Sequence, residues 1–267
     1  MEWTGSLAGL TDVGESRDHN EDGFLLFDAT SGREIPGELT RHSSHSGALL
    51  LAVSDGMGGA SAGETASAMT LEALKYHAAG MASHVAAAGP DGLDAWLADG
   101  IHLANRRVLE AGSEDGSLAG MGATATAVLI LHGLLYLAHV GDSRAYLLRD
   151  GRLLQLTSDH TFVAQLVARG HLSPEQAREH EQRHVLLQAV GVKEMLDIDT
   201  MSFELQSGDR ILLCSDGLYD LIMDEGIAQT LSDGVDPEAQ CKALVTAANS
   251  LGGYDNVTVI VLHVEAA

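Results

Sequence analysis

Four short stretches place acids where a chain turns. "LLLAVSDGMGG" runs from an apolar segment into Asp55-Gly56, and "RILLCSDGL" runs into Asp216-Gly217. "GGYDNVTVIVL" sets Asp255-Asn256 before a β-branched run, and "RDHNEDGFLLF" sets Glu21 and Asp22 before another. Any single Asp-Gly is explained by a tight turn or a helix cap. Acids at the ends of four strands can instead converge on one rim, where they repel one another unless a cation lies among them. Mg(II) and Mn(II) are hard cations that take carboxylate, carbonyl and water oxygens in near-octahedral geometry. Two such ions about 4 Å apart lower the pKa of a bridging water and clamp the oxygens of a phosphoryl group during in-line attack. Glycine after the aspartate lets a backbone carbonyl approach an ion closely.

The glycines after Asp55 do not cradle a phosphate themselves. No Gly-Lys-Ser/Thr follows, the spacing of Gly56, Gly58 and Gly59 fails the dinucleotide pattern, and an aspartate would repel the ligand. Arg17 is the cation close to this acidic set in sequence. Its planar fork can donate two hydrogen bonds to phosphate oxygens, although an ion pair with Asp18 or Glu21 is the ordinary use of such a residue.

The elements that must position these residues can be read from periodicity. "GETASAMTLEALKYHAAG" places Ala66, Met69, Leu71 and Leu74 at helical intervals, and a second helix is expected from about Asp91 to Leu109. Residues 28–47 are polar, contain Pro36, and suggest a surface excursion between strands. Ala123 to Leu156 forms β-rich runs divided by His132-Gly133, Gly141-Asp142 and Asp150-Gly151, expected as an antiparallel meander. A polar helical pattern covers 161–184, with Ser173 ahead of Pro174 as a helix start. Strands "RILLCS" and "NVTVIVLHV" follow, with helices near 217–231 and 237–250. The pattern predicts an α+β sandwich, two sheets packed together with helices outside, in one domain over 1–267.

Composition narrows the function classes. The chain of 267 residues is 45% hydrophobic, enough to bury a substantial core. With 38 acidic against 15 basic residues its formal charge is -23, so nucleic acid and anionic membrane surfaces are repelled. Cys214 and Cys241 share no metal-ligand spacing and are expected as buried free thiols. No stretch has the apolar length of a membrane span, and the N-terminus lacks the order of a signal peptide, which implies a cytoplasmic protein.

Six pieces, in order, carry a family resemblance: "RDHNED" at 17–22, "SDGMGG" at 54–59, "GMGATATAVLI" at 120–130, "HVGDSRAYLLRDGRLLQLTSDHT" at 139–161, "LLCSDGLYD" at 212–220 and "GGYDNVTVIVL" at 252–262. The chain resembles the metal-dependent type 2C protein serine/threonine phosphatases, in their compact bacterial form. That resemblance implies a four-layer α-β-β-α sandwich of two mostly antiparallel sheets, with 161–184 as a flap. It also implies hydrolysis of phosphoserine and phosphothreonine through two Mn(II) or Mg(II) ions and a metal-bridging hydroxide. Asp55 would bridge the ions, the Gly56 carbonyl and Glu21 would serve the second, and Asp216 and Asp255 would complete the first. Asp22 would support the water shell, and Arg17 would grip the phosphate. Asn256, by its residue type, is expected to form the turn or to support a ligand from behind, not to bind a cation. Asp142 and Arg144 would be structural. Partners would be phosphorylated proteins, either substrates of a serine/threonine kinase or the kinase itself, with the chain a monomer.

Two departures qualify the transfer. Many eukaryotic members have histidine, the proposed general acid, where this chain has Met57. His160 is better explained as a packed or turn histidine. A third cation in bacterial members uses an acid where this chain has Ala119, and Glu114 and Asp115 lie in the wrong register. A catalytically weak relative that binds phosphoproteins is the alternative, and it usually lacks one of the acids that are all present here.

Overall fold

Strands that are apolar on both faces need cover on both sides, and the chain supplies it in four layers. The structure, a computed structural model, describes residues 3–38, 40–43, 47–58, 62–88 and 92–266. Gly59, Asp91 and residues 39 and 44–46 of the polar excursion lie outside the described residues. In chain order come β1 (Trp3–Asp12), β2 (Asp22–Asp28), β3 (Arg33–Glu34), β4 (Thr40–Ser43), β5 (Leu49–Met57), α1 (Ala62–Ala78), α2 (Met81–Ala88) and α3 (Leu93–Glu114). Then follow β6 (Gly122–Ala123), β7 (Ala125–Leu131), β8 (Leu134–Val140), β9 (Arg144–Arg149), β10 (Arg152–Gln155), α4 (Phe162–Ala168) and α5 (Pro174–Arg178). The last are β11 (Asp199–Glu204), β12 (Arg210–Cys214), α6 (Asp216–Tyr219), α7 (Asp224–Ser232), α8 (Pro237–Ser250) and β13 (Val257–Ala266).

One sheet runs β10-β9-β12-β13-β1-β4 and the other β11-β8-β7-β5-β2-β3, with β6 extending β5. All of these neighbours pair antiparallel. The period of two sorts the side chains between layers. In β7, Ala125, Ala127, Leu129 and Leu131 face the helices, while Val128 and Ile130 face the other sheet. Ala52, Ala125, Ala127 and Ala138 let α1 and α3 sit close, with Ala66, Leu74, Leu97 and Ile101 packed against them. On the far side, Leu212, Cys214, Val259 and Val261 pack against Ile227, Leu231, Cys241 and Leu244 of α7 and α8. Leu49, Leu51, Val53, Ile211, Leu213, Ile260 and Leu262 fill the space between the sheets. This is the expected α-β-β-α sandwich. Both cysteines are free and buried, and burial pushes the Cys241 thiol up to about 12 and Cys214 higher, so neither is reactive.

Several local expectations are corrected. The run from Ala123 to Leu156 is two hairpins in different sheets, not one meander. His132 (φ 51)–Gly133 (φ 79) and Asp150 (φ 53)–Gly151 (φ 72) close tight left-handed turns, whereas Gly141–Asp142 is where the chain leaves one sheet for the other. The polar excursion carries β3 and β4, edge strands of the two sheets. The helix expected near 217–231 is broken into α6 and α7, and 161–184 holds two short helices. Ser173 does start α5, in a capping box with Gln176. Asp55 does not end its strand: β5 continues to Met57 by pairing Gly56 with Ala123 and Met57 with Gly122.

Candidate metal centre

Strand register builds the first half of the site. Asp22 opens β2 directly opposite Asp55 in β5, so their carboxylates leave the same face of the sheet. Like charges in such a pair repel, and the surroundings add few compensating bonds. Thr124 Oγ1 accepts from the Asp55 backbone N–H at 2.9 Å, and Ser215 Oγ donates to Asp22 Oδ2 at 2.6 Å. The Thr258 N–H donates in turn to Ser215 Oγ at 3.0 Å, which ties Asp22 to the other sheet.

The second half comes from that other sheet. Asp216 follows β12 as the first residue of α6, and Asp255 precedes β13, the neighbour of β12. Asn256 pins the loop that carries Arg17 and Glu21: its Oδ1 accepts from the Glu21 N–H at 2.8 Å, and its Nδ2 donates to the Val13 and His19 carbonyls at 2.9 Å each. Of the two roles expected for Asn256, these bonds are those of a residue that positions the ligand-bearing loop. Gly56 N–H donates to the Glu21 carbonyl at 3.1 Å. A Cβ on Gly56 would stand 2.0 Å from the Gly63 carbonyl oxygen, and one on Gly217 would stand 2.1 Å from that of Asn256. Glycine is required after both aspartates because backbones meet there.

Burial, then mutual repulsion among Asp22, Asp216, Asp142 and Asp255, pushes the Asp55 carboxyl well above the usual range. Asp216 is raised in the same way, by burial and then by Asp142, Asp220, Asp255 and Asp22. Burial lifts Asp22 to about 6 against the lowering effect of its hydroxyl partners. Glu21 is raised by burial, and its Oε1 is buried with no hydrogen-bond partner among the described residues. Gly63 makes room for it, since a Cβ there would lie 2.6 Å from that oxygen. A set of crowded carboxylates, one with an orphaned oxygen, fits hard divalent cations. Arg17, half exposed, donates to Asp255 Oδ2 at 2.6 Å, so its partner is neither Asp18 nor Glu21.

Arg17, Glu21, Asp22, Asp55, Gly56, Asp216 and Asp255 therefore gather at one end of the sandwich. Asp142 and Arg144 stand beside them without joining. Arg144 forks onto Asp159 at 2.9 and 2.6 Å, donates to the Tyr146 hydroxyl and stacks 3.5 Å from the Tyr219 ring centroid. His160 is packed, with Nδ1 3.3 Å from the Gly141 N–H and Nε2 3.3 Å from Asp199. Asp115 caps the turn Gly116–Leu118, accepting from Ser117 N at 2.8 Å and Oγ at 2.7 Å.

Sequence reasoning missed Ser215, Thr124, Gly63 and His184. The repeated Ser-Asp-Gly was the available signal: Ser54 Oγ donates to the Thr124 carbonyl at 2.7 Å, as Ser215 does to Asp22. His184 gave none. Its Nδ1 lies 3.9 Å from both Asp216 and Asp220, across 32 residues of chain from the former.

A family profile described as Protein phosphatase 2C matches residues 37–252. The chain belongs to that family. Within the protein phosphatase 2C match lie Asp55 and Asp216, while Arg17, Glu21, Asp22 and Asp255 fall outside its bounds. The serine/threonine protein phosphatase PstP of Mycobacterium tuberculosis is 41% identical over 243 residues, which cover 90% of this chain and 45% of that protein. This chain thus spans less than half the length of that relative. A solved serine/threonine phosphatase of S. agalactiae superposes with a TM-score of 0.83 at 32% identity, covering 98% of this chain and 100% of that one. The catalytic domain of PstP in complex with two manganese ions gives a TM-score of 0.78 at 34% identity, covering 99% and 100%. No described helix is long and apolar enough to cross a membrane.

Proposed function

We propose that this protein phosphatase 2C chain is a phosphoprotein phosphatase that hydrolyses phosphoserine and phosphothreonine at a pair of divalent cations. The observation that carries the reading is the convergence of Asp22, Asp55, Asp216 and Glu21, all raised by burial, around an orphaned Glu21 oxygen. Asp55, Asp216 and Asp255 would hold one ion, and Asp55, the Gly56 carbonyl and Glu21 the other, with Mn(II) or Mg(II) suiting the oxygen donors. The ions supply charge neutralisation for the phosphoryl oxygens and a nucleophilic water at neutral pH.

The chain's own groups orient the substrate. Arg17 spends one nitrogen on Asp255 and keeps its other donors for the phosphate. Asp22, engaged by Ser215, positions water rather than binding directly. Met57 has no proton to give, so a water or another group would have to serve the departing alkoxide. Position 119 is alanine and Asp115 Oδ1 is engaged by Ser117, so the reading takes two ions and leaves a third in doubt. Phosphorylated substrates of a serine/threonine kinase, or the kinase itself, are the partners, met by a cytoplasmic monomer.

Release of phosphate from an aryl phosphate in Mn(II), lost with chelator and in Asp216→Ala, is the expected outcome. A folded wild type that is inert under these conditions points to the phosphoprotein-binding alternative.

A further inference from the structure

The arginines near the rim divide into committed and uncommitted. Arg17 pairs with Asp255 and Arg144 with Asp159. Arg178, at the end of α5, touches the neutral Met223 sulfur, and Arg183 stands five residues on. Among the described residues neither forms an ion pair with a carboxylate, in a chain where acids outnumber bases 38 to 15. Glu175 and Asp220 attract them only through space.

Both face a trough that leads away from the acids. A cavity of about 600 Å³ lies over Asp216, Gly217 and Asp255, and one of about 750 Å³ lies beneath residues 161–184. The two share Arg144, Arg178, Arg183, His184, Tyr219 and Asp220 as walls. Arg144 pairs with Asp159, so the positive charge without an ion-pair partner in the shared section is that of Arg178 and Arg183, beside the Asp220 carboxylate and with His184 Nδ1 3.9 Å from Asp216 and Asp220. Guanidinium groups with unfilled donors are suited to phosphate or carboxylate oxygens.

We propose that Arg178 and Arg183 form a subsite for a second anionic group on the substrate, so that the favoured phosphopeptides carry a further phosphate or carboxylate near the residue being hydrolysed. The reading rests on the phosphatase function proposed above. One cavity is walled by Asp216 and Asp255 and by Arg178 and Arg183 together, and extended chain advances about 3.3 Å per residue, so the second group lies within a few residues of the first.

Peptides with one phosphoserine and a second phosphoserine, a glutamate or an alanine two or three residues away, on either side, test the subsite. The wild type is expected to show a KM about tenfold lower for the doubly phosphorylated peptide than for the alanine one, with glutamate between if charge alone suffices. Arg178→Gln/Arg183→Gln erases that difference without changing aryl phosphate turnover, and Arg178→Glu/Arg183→Glu shifts preference to lysine-flanked peptides. Equal KM for all peptides in the wild type, or an equal loss on every substrate in both variants, overturns the subsite. Fluorescence anisotropy of the same labelled peptides separates this claim from the phosphatase reading. A chain inert toward aryl phosphate that still binds the doubly phosphorylated peptide more tightly through these arginines keeps the subsite, and one that binds all peptides alike loses it.

Discussion

Buried carboxylates are treated in opposite ways at two places in this molecule. Asp209, 1% exposed, receives Arg149 through two guanidinium bonds of 2.7 and 2.6 Å, and the Gln206 N–H besides. Asp159 receives Arg144 in the same forked geometry. At the rim, Asp22, Asp55 and Asp216 face one another, and Arg17 goes to Asp255. A chain can compensate every buried acid with arginine, as it does at Asp209, so leaving a cluster uncompensated marks the place where charge arrives from outside.

Neutralising one acid at each place should produce effects of different kinds. Asp55→Asn is expected to lower phosphatase kcat/KM on the order of 10³-fold, since a lost ion forfeits several kcal/mol of transition-state stabilisation. In chelator the same variant should be more stable than wild type by denaturant titration, because it removes a repelled charge. Asp209→Ala is expected to do the reverse. It should cost about 3–5 kcal/mol of stability by the same titration, as broken buried pairs do, with aryl phosphate turnover of the folded fraction unchanged.

Asp142 sharpens the contrast on a smaller scale. It lies beside Arg144, yet Asp159 takes the guanidinium, and burial followed by repulsion from Asp159 lifts the Asp142 carboxyl to about 7. A folded value raised above the unfolded one means that the native state holds the proton longer. Stability is therefore lost as pH rises from about 4 to about 7. Metal-free Asp142→Asn should match wild type near pH 4 and exceed it on the order of 2 kcal/mol at pH 8. A constant difference across that range breaks the assignment.

The layers of the sandwich were legible because the strands alternate cleanly between two apolar faces, and α8 matched its expected span because Asp236-Pro237 starts it sharply. The acids were legible as repeated chemistry at four turns. Sheet membership was not: local pattern finds the β7–β8 and β9–β10 hairpins but cannot say that Gly141–Asp142 carries the chain between sheets. The facing of Asp22 and Asp55 depends on strand register, and the position of His184 on how a polar segment folds back over α6. The partner of Arg17 lies 238 residues away, beyond any local argument.

Mn(II) titration of the chelator-treated protein, followed by electron paramagnetic resonance, tests the central claim most directly. The account predicts two ions per chain with a spin-coupled signal that disappears in Asp55→Asn. No bound Mn(II), or binding unchanged by that substitution, would contradict it.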